Sequence, residues 1–253
     1  MDSSMELIQS VLKALQIMEE LDRHGALGIR EIAQTLGMGK SSVHRMVSTL
    51  KHAGWVVENK HTGKNELSYK LFSLGSNVVK RMSHRDFFHR EMEKLGQITG
   101  ENINLGILFR GEVFHIDKVE STSPIKVDAS LGTPTSAYNT ALGKVLLAQM
   151  PEEEVRQLFR NYTFVKTGKN TILSLERLLE ELEQVRIQGY ARDNEEYAES
   201  MICYAVPVRN SDGKAEHALS VAFPKYRYEE KPQKMQMILE ELIKAGRTLS
   251  RED

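Results

Sequence analysis

The sequence predicts an α+β protein in two parts: a small N-terminal part made mainly of helices, and a larger part built on an antiparallel sheet. Three observations support this prediction. Apolar residues recur at helical spacing as far as about residue 53, where the period changes to the alternation typical of strands. After Gly100 the predicted strands come in hairpins with helices between and around them, as in an α+β domain. A chain of 253 residues is long enough for two domains.

The stretch from Gly39 to Leu50 is predicted to form a helix with one apolar side and an outer face of short polar side chains. The apolar side carries Val43, Met46, Val47 and Leu50, and the opposite side carries Ser41, Arg45, Ser48 and His52. Short polar side chains let a helix approach another surface closely, and arginine can bind guanine edges or phosphates. The alternative is an ordinary solvent-facing helix.

The segments before this helix favour a role in reading DNA. A first helix is predicted from Ser4 to about Arg23, and a short second helix stops at Gly37, since glycine takes the left-handed conformation easily. Met38 and Gly39 then form a tight turn. Two short helices joined by a glycine-containing turn, with the polar face on the second, form the helix-turn-helix pattern.

A hairpin is predicted after this pattern. Trp55 to Val57 reads as one strand, and Leu67, Tyr69 and Leu71 alternate with polar residues as the other. The turn between them is basic, so the hairpin is interpreted as a wing that rests on the DNA backbone or minor groove, with a solvated turn as the alternative. The predicted DNA contacts of the helix and the wing are Lys40, Ser41, Ser42, His44, Arg45, Ser48, Lys60 and Lys64.

Charge and cysteine content narrow the class further. The net charge is -1, but residues 38–70 carry six lysines and arginines against two glutamates, whereas residues 171–200 carry eight acids against three arginines. A basic patch on an acidic remainder suits a modular nucleic-acid binder. The single cysteine, Cys203, excludes an intramolecular disulfide and fits a reducing cytoplasm. The N-terminal residues do not resemble a signal peptide, and no apolar run reaches membrane-spanning length, so no membrane association is expected.

The domains are predicted as a DNA-binding domain over 1–70, a linker helix over 71–83 and a ligand-binding domain over 84–253. In the ligand-binding domain we expect helices from His84 to Thr99, from Thr140 to Met150, from Pro151, from Ser174 to Gln188 and from Pro232 to Leu249. The strands expected there run from Ile103 to Phe109, Val113 to Val119, Ile125 to Ala129, Met201 to Val208 and His217 to Phe223.

A ligand site is predicted where the helix near Thr140 begins. A helix N-terminus presents unpaired amides and a partial positive charge, which suit a carboxylate. Asn139 or Thr140 can cap one amide, and the small residues Ala141 and Gly143 leave room for a ligand to approach the others. The alternative is a capped helix packed under a loop.

Four sequence blocks resemble the IclR family of bacterial transcriptional regulators, in the order and over nearly the full length expected of that family. The blocks are Ser41 to Arg45, Tyr138 to Ala148, Gly189 to Glu196 and Cys203 to Val208. Within the family, the second and third blocks look closest to KdgR-type regulators, which respond to a keto-deoxy sugar acid. Gly39 stands where the family often has proline, which predicts a looser start of the recognition helix.

The resemblance implies a winged helix-turn-helix domain, a linker helix and a GAF-like effector domain that binds small organic or aromatic acids. It also implies a homodimer or a dimer of dimers, and a role for Asp193 in accepting hydrogen bonds from ligand hydroxyls; a solvated acidic loop is the alternative for that segment. The predicted effector contacts are Val127, Thr140, Ala141, Leu142, Gly143, Asp193, Glu195, Cys203 and Ser220.

No cofactor and no metal are expected. The acidic run at Asp193 has no histidine or cysteine partner at ligand spacing. A catalytic Cys203 would need a base and an anion hole, and neither is recognisable, so Cys203 and Ser220 are interpreted as pocket lining.

The predicted function is a DNA-binding transcriptional regulator, more often a repressor, that binds a palindromic operator and responds to a small carboxylate such as a keto or sugar acid. One alternative is an enzyme acting on a small organic acid with an accessory winged domain. Another is a winged module that binds protein. The enzyme would need a nucleophile with its base, or a set of metal ligands, and the sequence presents neither.

Overall fold

The computed structural model describes residues 7–81, 84–123, 130–227, 229 and 231–250. The chain forms two compact units, Met1–Met82 and Ser83–Asp253. None of the helices in the described ranges combines the length and the apolar character that crossing a membrane requires. The division into domains at residues 70 and 83 stays a prediction.

The first unit is a helix-turn-helix followed by a two-stranded hairpin. Its elements are α1 (Gln9–His24), α2 (Ile29–Thr35), α3 (Lys40–His52), β1 (Val56–Glu58), β2 (Asn65–Leu67) and α4 (Lys70–Lys80). β1 and β2 pair antiparallel, and Leu27 adds an isolated bridge to Asn65, with backbone hydrogen bonds of 2.9 and 2.8 Å. The core contains Ile17, Leu21, Ile32, Val43, Val47, Leu50 and Val56. The predicted pattern of helices and wing is confirmed.

Two details of this unit concern α1 and the second wing strand. The apolar stripe of α1 is divided: Ile17 and Leu21 are buried, whereas Val11 and Leu15 are about half exposed, at 52% and 49%. The extension of the second wing strand to Leu71 is wrong, because β2 ends at Leu67. The hydroxyl of Ser68 donates to the carbonyl of Gly54 at 2.6 Å and accepts from the amide of Lys70, which turns the chain into α4.

The second unit is a six-stranded antiparallel sheet with helices packed against it. Its helices are α5 (Arg85–Thr99), α6 (Ala141–Leu147), α7 (Glu152–Phe159), α8 (Leu175–Gln188) and α9 (Pro232–Leu249). Its strands are β3 (Asn102–Phe109), β4 (Glu112–Val119), β5 (Pro134–Ser136), β6 (Ala191–Asn194), β7 (Met201–Arg209) and β8 (Ala215–Pro224), in the order β5-β4-β3-β8-β7-β6. The predicted α+β class with an antiparallel sheet is confirmed.

Three elements of this unit, β5, β6 and α6, differ from the prediction. The strand predicted at Ile125 to Ala129 lies outside the described residues. The edge strands β5 and β6 were not predicted, and Asp193 lies within β6, where it pairs with Cys203 of β7. α6 is shorter than predicted and ends at Leu147.

The sheet has one face of small side chains, which makes room for a cavity. α6 packs on residues that include Ala191, Cys203, Ala205, Ala218 and Ala222. The alternating residues point the other way, towards α5 and α9: the ring of His217 contacts Phe88. A helix laid on such a face leaves space wherever its own side chains are also small.

Candidate functional site

The outer face of α3 is exposed where the sequence predicted DNA contacts. Val43, Val47 and Leu50 anchor the helix in the core, and the exposed residues are Lys40, Ser41, Ser42, His44, Arg45 and Ser48. Among the described residues, no hydrogen bond or ion pair engages the Arg45 guanidinium. Gly39 is the residue before the helix and provides no side-chain cap. The helix therefore presents a continuous polar surface that the core does not use.

The wing is held in shape by its own turn. The Asn59 side chain accepts hydrogen bonds from the amides of His61 and Thr62 at 3.0 and 3.2 Å. Gly63 has a φ of 67°, a conformation that glycine adopts without strain. Lys60 and His61 are exposed at the tip. This turn fixes where the tip's positive charge stands relative to the strands.

The two predicted wing lysines are not equivalent. The ammonium of Lys64 lies 2.9 Å from one carboxylate oxygen of Glu31 on α2, while the other oxygen accepts from the Gly28 amide at 2.6 Å. The Gly28 amide, followed by Lys64, lowers the pKa of the Glu31 carboxyl. Lys64 therefore ties the wing to α2, whereas Lys60 has no such contact within the described ranges.

An apolar groove lies beside α3 in the first unit and was not predicted. It has a volume of about 800 Å³ and lies between α1, α3, Trp55 and Leu71. Ser42, Arg45 and Thr49 also line it, so Arg45 stands between the groove and the outer face of α3.

In the second unit, the small-residue face and the start of α6 enclose a cavity of about 200 Å³. It brings together six of the predicted effector contacts, which are Thr140, Ala141, Leu142, Asp193, Cys203 and Ser220. Its wall also contains residues that the sequence analysis missed, among them Asn104, His115, Thr133, Thr135 and Tyr197. Val127 lies outside the described residues.

Two predicted contacts, Gly143 and Glu195, do not line the cavity. A Cβ atom on Gly143 would lie 2.2 Å from the carbonyl oxygen of Ala137, so this glycine serves close packing of α6. The Glu195 carboxylate is engaged by the Lys225 ammonium at 2.5 Å and by the amide of Ser200 at 3.1 Å. Both residues support the cavity from outside its wall.

The start of α6 leaves two amides for a ligand. The Thr140 hydroxyl caps the helix by accepting from the Gly143 amide at 3.2 Å, and it donates to the carbonyl of Ser136 at 3.1 Å. The first helical hydrogen bond runs from Lys144 to the Thr140 carbonyl. The amides of Ala141 and Leu142 precede it and are not used by the helix. Because α6 has only seven residues, these two donors matter more than its dipole.

Asp193 is the most perturbed acid of the cavity. Only 1% of it is exposed, and its Oδ1 accepts hydrogen bonds from the amides of Glu196 and Tyr197 at 2.8 and 3.4 Å. Among the described residues its Oδ2 has no hydrogen-bond partner. Burial is the main reason that the pKa of Asp193 is raised to about 7. The hydrogen bond from the Glu196 amide lowers this pKa, and the nearby Glu196 carboxylate raises it. The group therefore titrates near neutrality.

Other buried polar atoms belong to residues in the wall of the same cavity. Within the described part of the chain, Nδ1 of His115 and the Thr135 hydroxyl have no partner. Burial, and after it the charge of Lys118, lowers the pKa of His115, so its ring is neutral at pH 7. Since more than about 90% of buried polar groups in proteins are hydrogen-bonded, several unpaired ones around one cavity indicate a site for a polar ligand.

Cys203 has the properties of a wall residue. Burial raises the pKa of its thiol, and the charge of Asp193 raises it further, so the thiol stays protonated. The Ser220 hydroxyl lies beside it and is a weak partner for sulfur. A protonated thiol is a poor nucleophile, so the cysteine contributes shape to the cavity.

A buried lysine holds the acidic segment behind the cavity. Lys144 is fully buried, and its ammonium donates to Glu181 at 3.0 Å, Glu196 at 2.6 Å and the carbonyl of Arg192 at 2.6 Å. These bonds join α6 to α8 and to the end of β6. Among the described residues, no group of three or more His, Cys, Asp or Glu side chains is placed to hold a metal ion.

A helix-turn-helix unit followed by a sheet unit whose cavity is lined by several buried polar groups defines a ligand-responsive DNA-binding regulator. Comparison with known proteins gives the family. Residues 10–60 match the IclR helix-turn-helix domain, and residues 76–251 match the C-terminal domain of the bacterial transcriptional regulator IclR. This chain belongs to the IclR family of transcriptional regulators.

Individual relatives span nearly the whole chain. The HTH-type transcriptional regulator KdgR of Escherichia coli (strain K12) is 34% identical over 250 residues, covering 99% of this chain and 94% of KdgR. XynR of the same organism is 34% identical and covers 98% of each chain. The crystal structure of the Thermotoga maritima IclR is 30% identical with a TM-score of 0.67, covering 95% of this chain and 98% of that one. All are regulators, so the enzyme alternative has no support.

Proposed function

We propose that this chain represses transcription by binding a palindromic operator through α3 and the wing, and that a small keto or hydroxy acid in the cavity of the second unit changes this binding. The observation that carries the effector assignment is the set of buried, unpaired polar atoms on Asp193, His115 and Thr135 around one enclosed cavity. A regulator of this kind works beside the chromosome, so we place it in the cytoplasm. No cofactor is needed for this function.

The chemistry of the wall supports an acid with further oxygens. The two unused amides of Ala141 and Leu142 are donors suited to a carboxylate. Asp193, His115 and Thr135 would meet polar atoms elsewhere on the ligand. A cavity of about 200 Å³ has room for a small organic acid.

Calorimetry with matched pairs tests the effector class. We expect pyruvate to bind better than neutral hydroxyacetone, and gluconate better than neutral glucitol, because each acid presents the carboxylate to the α6 amides. 2-Keto-3-deoxygluconate is included among the acids of this test panel because the KdgR-type resemblance implies an acid of that kind. Ala141→Leu should abolish acid binding by filling the cavity, while Ala141→Ser, which keeps the size, should retain it.

The unfolding temperatures of both variants separate a blocked cavity from a misfolded domain. Equal binding of acids and neutral analogues would contradict the carboxylate assignment. Intact binding in a folded Ala141→Leu variant would place the effector site elsewhere.

Coupling to DNA would run through α4, as the linker helix of the sequence prediction. An effector that prefers one spacing of the two reading heads of a dimer shifts operator affinity by its differential affinity, typically about 1–3 kcal/mol. A mobility-shift assay on the DNA upstream of its own gene, with and without the acid, tests this. A protein-binding winged module would show no sequence-specific retention of DNA.

A further inference from the structure

We propose that Asp193 carries a proton in the effector complex and donates it to an oxygen of the bound acid, so that effector binding takes up a proton from solvent. This inference rests on the proposed function, since it concerns the acid that the cavity binds. It makes Asp193 the residue that selects for a hydrogen-bond acceptor on the effector, in place of the hydroxyl donor expected from the sequence.

The geometry of Asp193 leaves one oxygen for the ligand. Its Oδ1 is occupied by two amides, those of Glu196 and Tyr197, which only donate. Its Oδ2 belongs to a side chain that is 99% buried in the cavity wall and has no partner among the described residues. A proton on this carboxyl therefore goes to Oδ2, where it can be donated only into the cavity.

The charges around Asp193 disfavour its ionised form. Behind it, the ammonium of Lys144 already serves two carboxylates, Glu181 and Glu196. The charge of Lys144 lowers the pKa of Asp193, but less than the Glu196 carboxylate raises it, so an ionised Asp193 would be a third carboxylate beside a single buried cation. Burial disfavours the ionised form as well, and it raises the pKa of Asp193 to about 7.

The remaining titratable groups nearby do not supply a compensating charge. From β4, His115 is neutral, and from β7, the Cys203 thiol stays protonated. Tyr197 lines the cavity from the segment after β6, and its side chain cannot carry a positive charge. The side chain of Arg192 lies over the ring of Tyr204, and Lys225 pairs with Glu195. The described surroundings of Asp193 thus contain no free cation for it.

A bound anionic effector further favours the protonated form of Asp193, whichever part of the cavity its carboxylate occupies. A cavity of about 200 Å³ is roughly 7 Å across, and at that separation two like charges at an effective dielectric constant of about 20 weaken binding on the order of 50-fold. Protonation of Asp193 removes this repulsion and turns the group into a hydrogen-bond donor. A keto oxygen, which only accepts, is then a suitable partner.

The affinity for the effector should therefore fall as the pH rises. Because the complex favours the protonated carboxyl, affinity is full below about pH 7 and falls as the pH rises through the pKa of Asp193 in the free protein. At pH 7 about half of the free protein lacks this proton, so binding should take up roughly half a proton per site, rising towards one at pH 8.

Calorimetry of the full-length protein with pyruvate, and in parallel with 2-keto-3-deoxygluconate, measures this uptake. Titrations at pH 7 and 8 in phosphate, ACES and Tris give the number of protons from the dependence of the apparent enthalpy on the buffer. Asp193→Asn keeps a donor at the same place without a titrating proton, so it should retain binding, take up no proton and lose the pH dependence. Ile187→Ala, at an exposed α8 position that does not line the cavity, is the control and should keep the wild-type binding and proton uptake.

The outcomes distinguish this inference from the proposed function. Absence of binding by every acid of the panel overturns both. Binding of an acid by the wild type with no proton exchange, or with proton release, overturns the role of Asp193 and leaves the effector class standing. The wild-type buffer series decides the matter even if Asp193→Asn does not fold.

Discussion

Arg45 is the residue through which α3 is expected to read sequence. It is exposed, and no described residue engages its guanidinium. We predict that Arg45→Ala weakens operator binding by roughly 1–3 kcal/mol and relaxes specificity at one base pair, since arginine binds guanine in two places at once. Fluorescence anisotropy with operator and scrambled DNA measures both effects.

Arg30→Ala, which removes the same charge from the exposed side of α2, is the control for Arg45→Ala. It should weaken binding to both DNAs alike, without changing specificity. Unchanged operator affinity in Arg45→Ala, combined with weaker dimerisation, would instead assign Arg45 to the groove that it also lines.

At the residue scale, the predicted residues that line the cavity come from the recognisable blocks, apart from Ser220, while residues whose position depends on strand register were missed. Asn104 is a polar residue in an apolar strand, and only the sheet shows that it lies directly opposite Ser220. His115 is similarly isolated in β4. The partners of Lys144 are 37 and 52 residues away in sequence, so no local pattern indicates their cluster.

At the scale of elements, the two wing lysines are expected to differ, because both attract the DNA backbone but only Lys64 also holds the wing in position. Lys60→Ala should weaken binding to all DNA sequences and reduce the salt dependence by about one phosphate contact. Lys64→Ala should do the same and also release the wing from Glu31, so the loss should include some specificity. The slope of log K against log salt for operator and non-specific DNA measures the difference.

Glu31→Gln is the matched variant for the wing, because it weakens the link to Lys64 without removing a positive charge. We expect it to reproduce the loss of specificity but not the change in salt slope. Identical behaviour of Lys60→Ala and Lys64→Ala would show that the Glu31 contact does not position the wing.

The elements that the sequence could not predict are those stabilised by tertiary pairing. β6 reads Ala-Arg-Asp-Asn, which has little intrinsic preference for a strand, and forms because β7 offers its free edge. Pro207 fits within β7 because β6 pairs only as far as Ala205. The wing strand β2 is short because Ser68 closes the turn before α4. The long helices α8 and α9 could be predicted from the spacing of their own apolar residues, without knowledge of their tertiary partners.

At the scale of the whole molecule, the exposed apolar residues of the first unit are where we expect a second copy of the chain to bind. Val11 and Leu15 of α1 are about half exposed, and Phe72 and Val78 of α4 are 74% and 73% exposed. Exposed apolar patches of this kind commonly mark protein interfaces. One winged unit reaches only a few base pairs, and two units related by a dyad give affinity and register. In the proposed dimer, the apolar faces of α1 and α4 form the contact between the two copies, and the two winged units bind the two halves of a palindromic operator.

We therefore predict that Val11→Glu and Phe72→Glu each weaken dimerisation and operator binding together, while the monomer remains folded because both side chains already face solvent. Ile187→Glu is the matched control, since this α8 residue is 71% exposed and lies in the other unit. Analytical ultracentrifugation gives the dimer constant, and footprinting of the wild type should show two half-sites related by a dyad. A wild-type monomer at micromolar concentration, or a footprint without dyad symmetry, would contradict the assignment of these helices to a dimer contact.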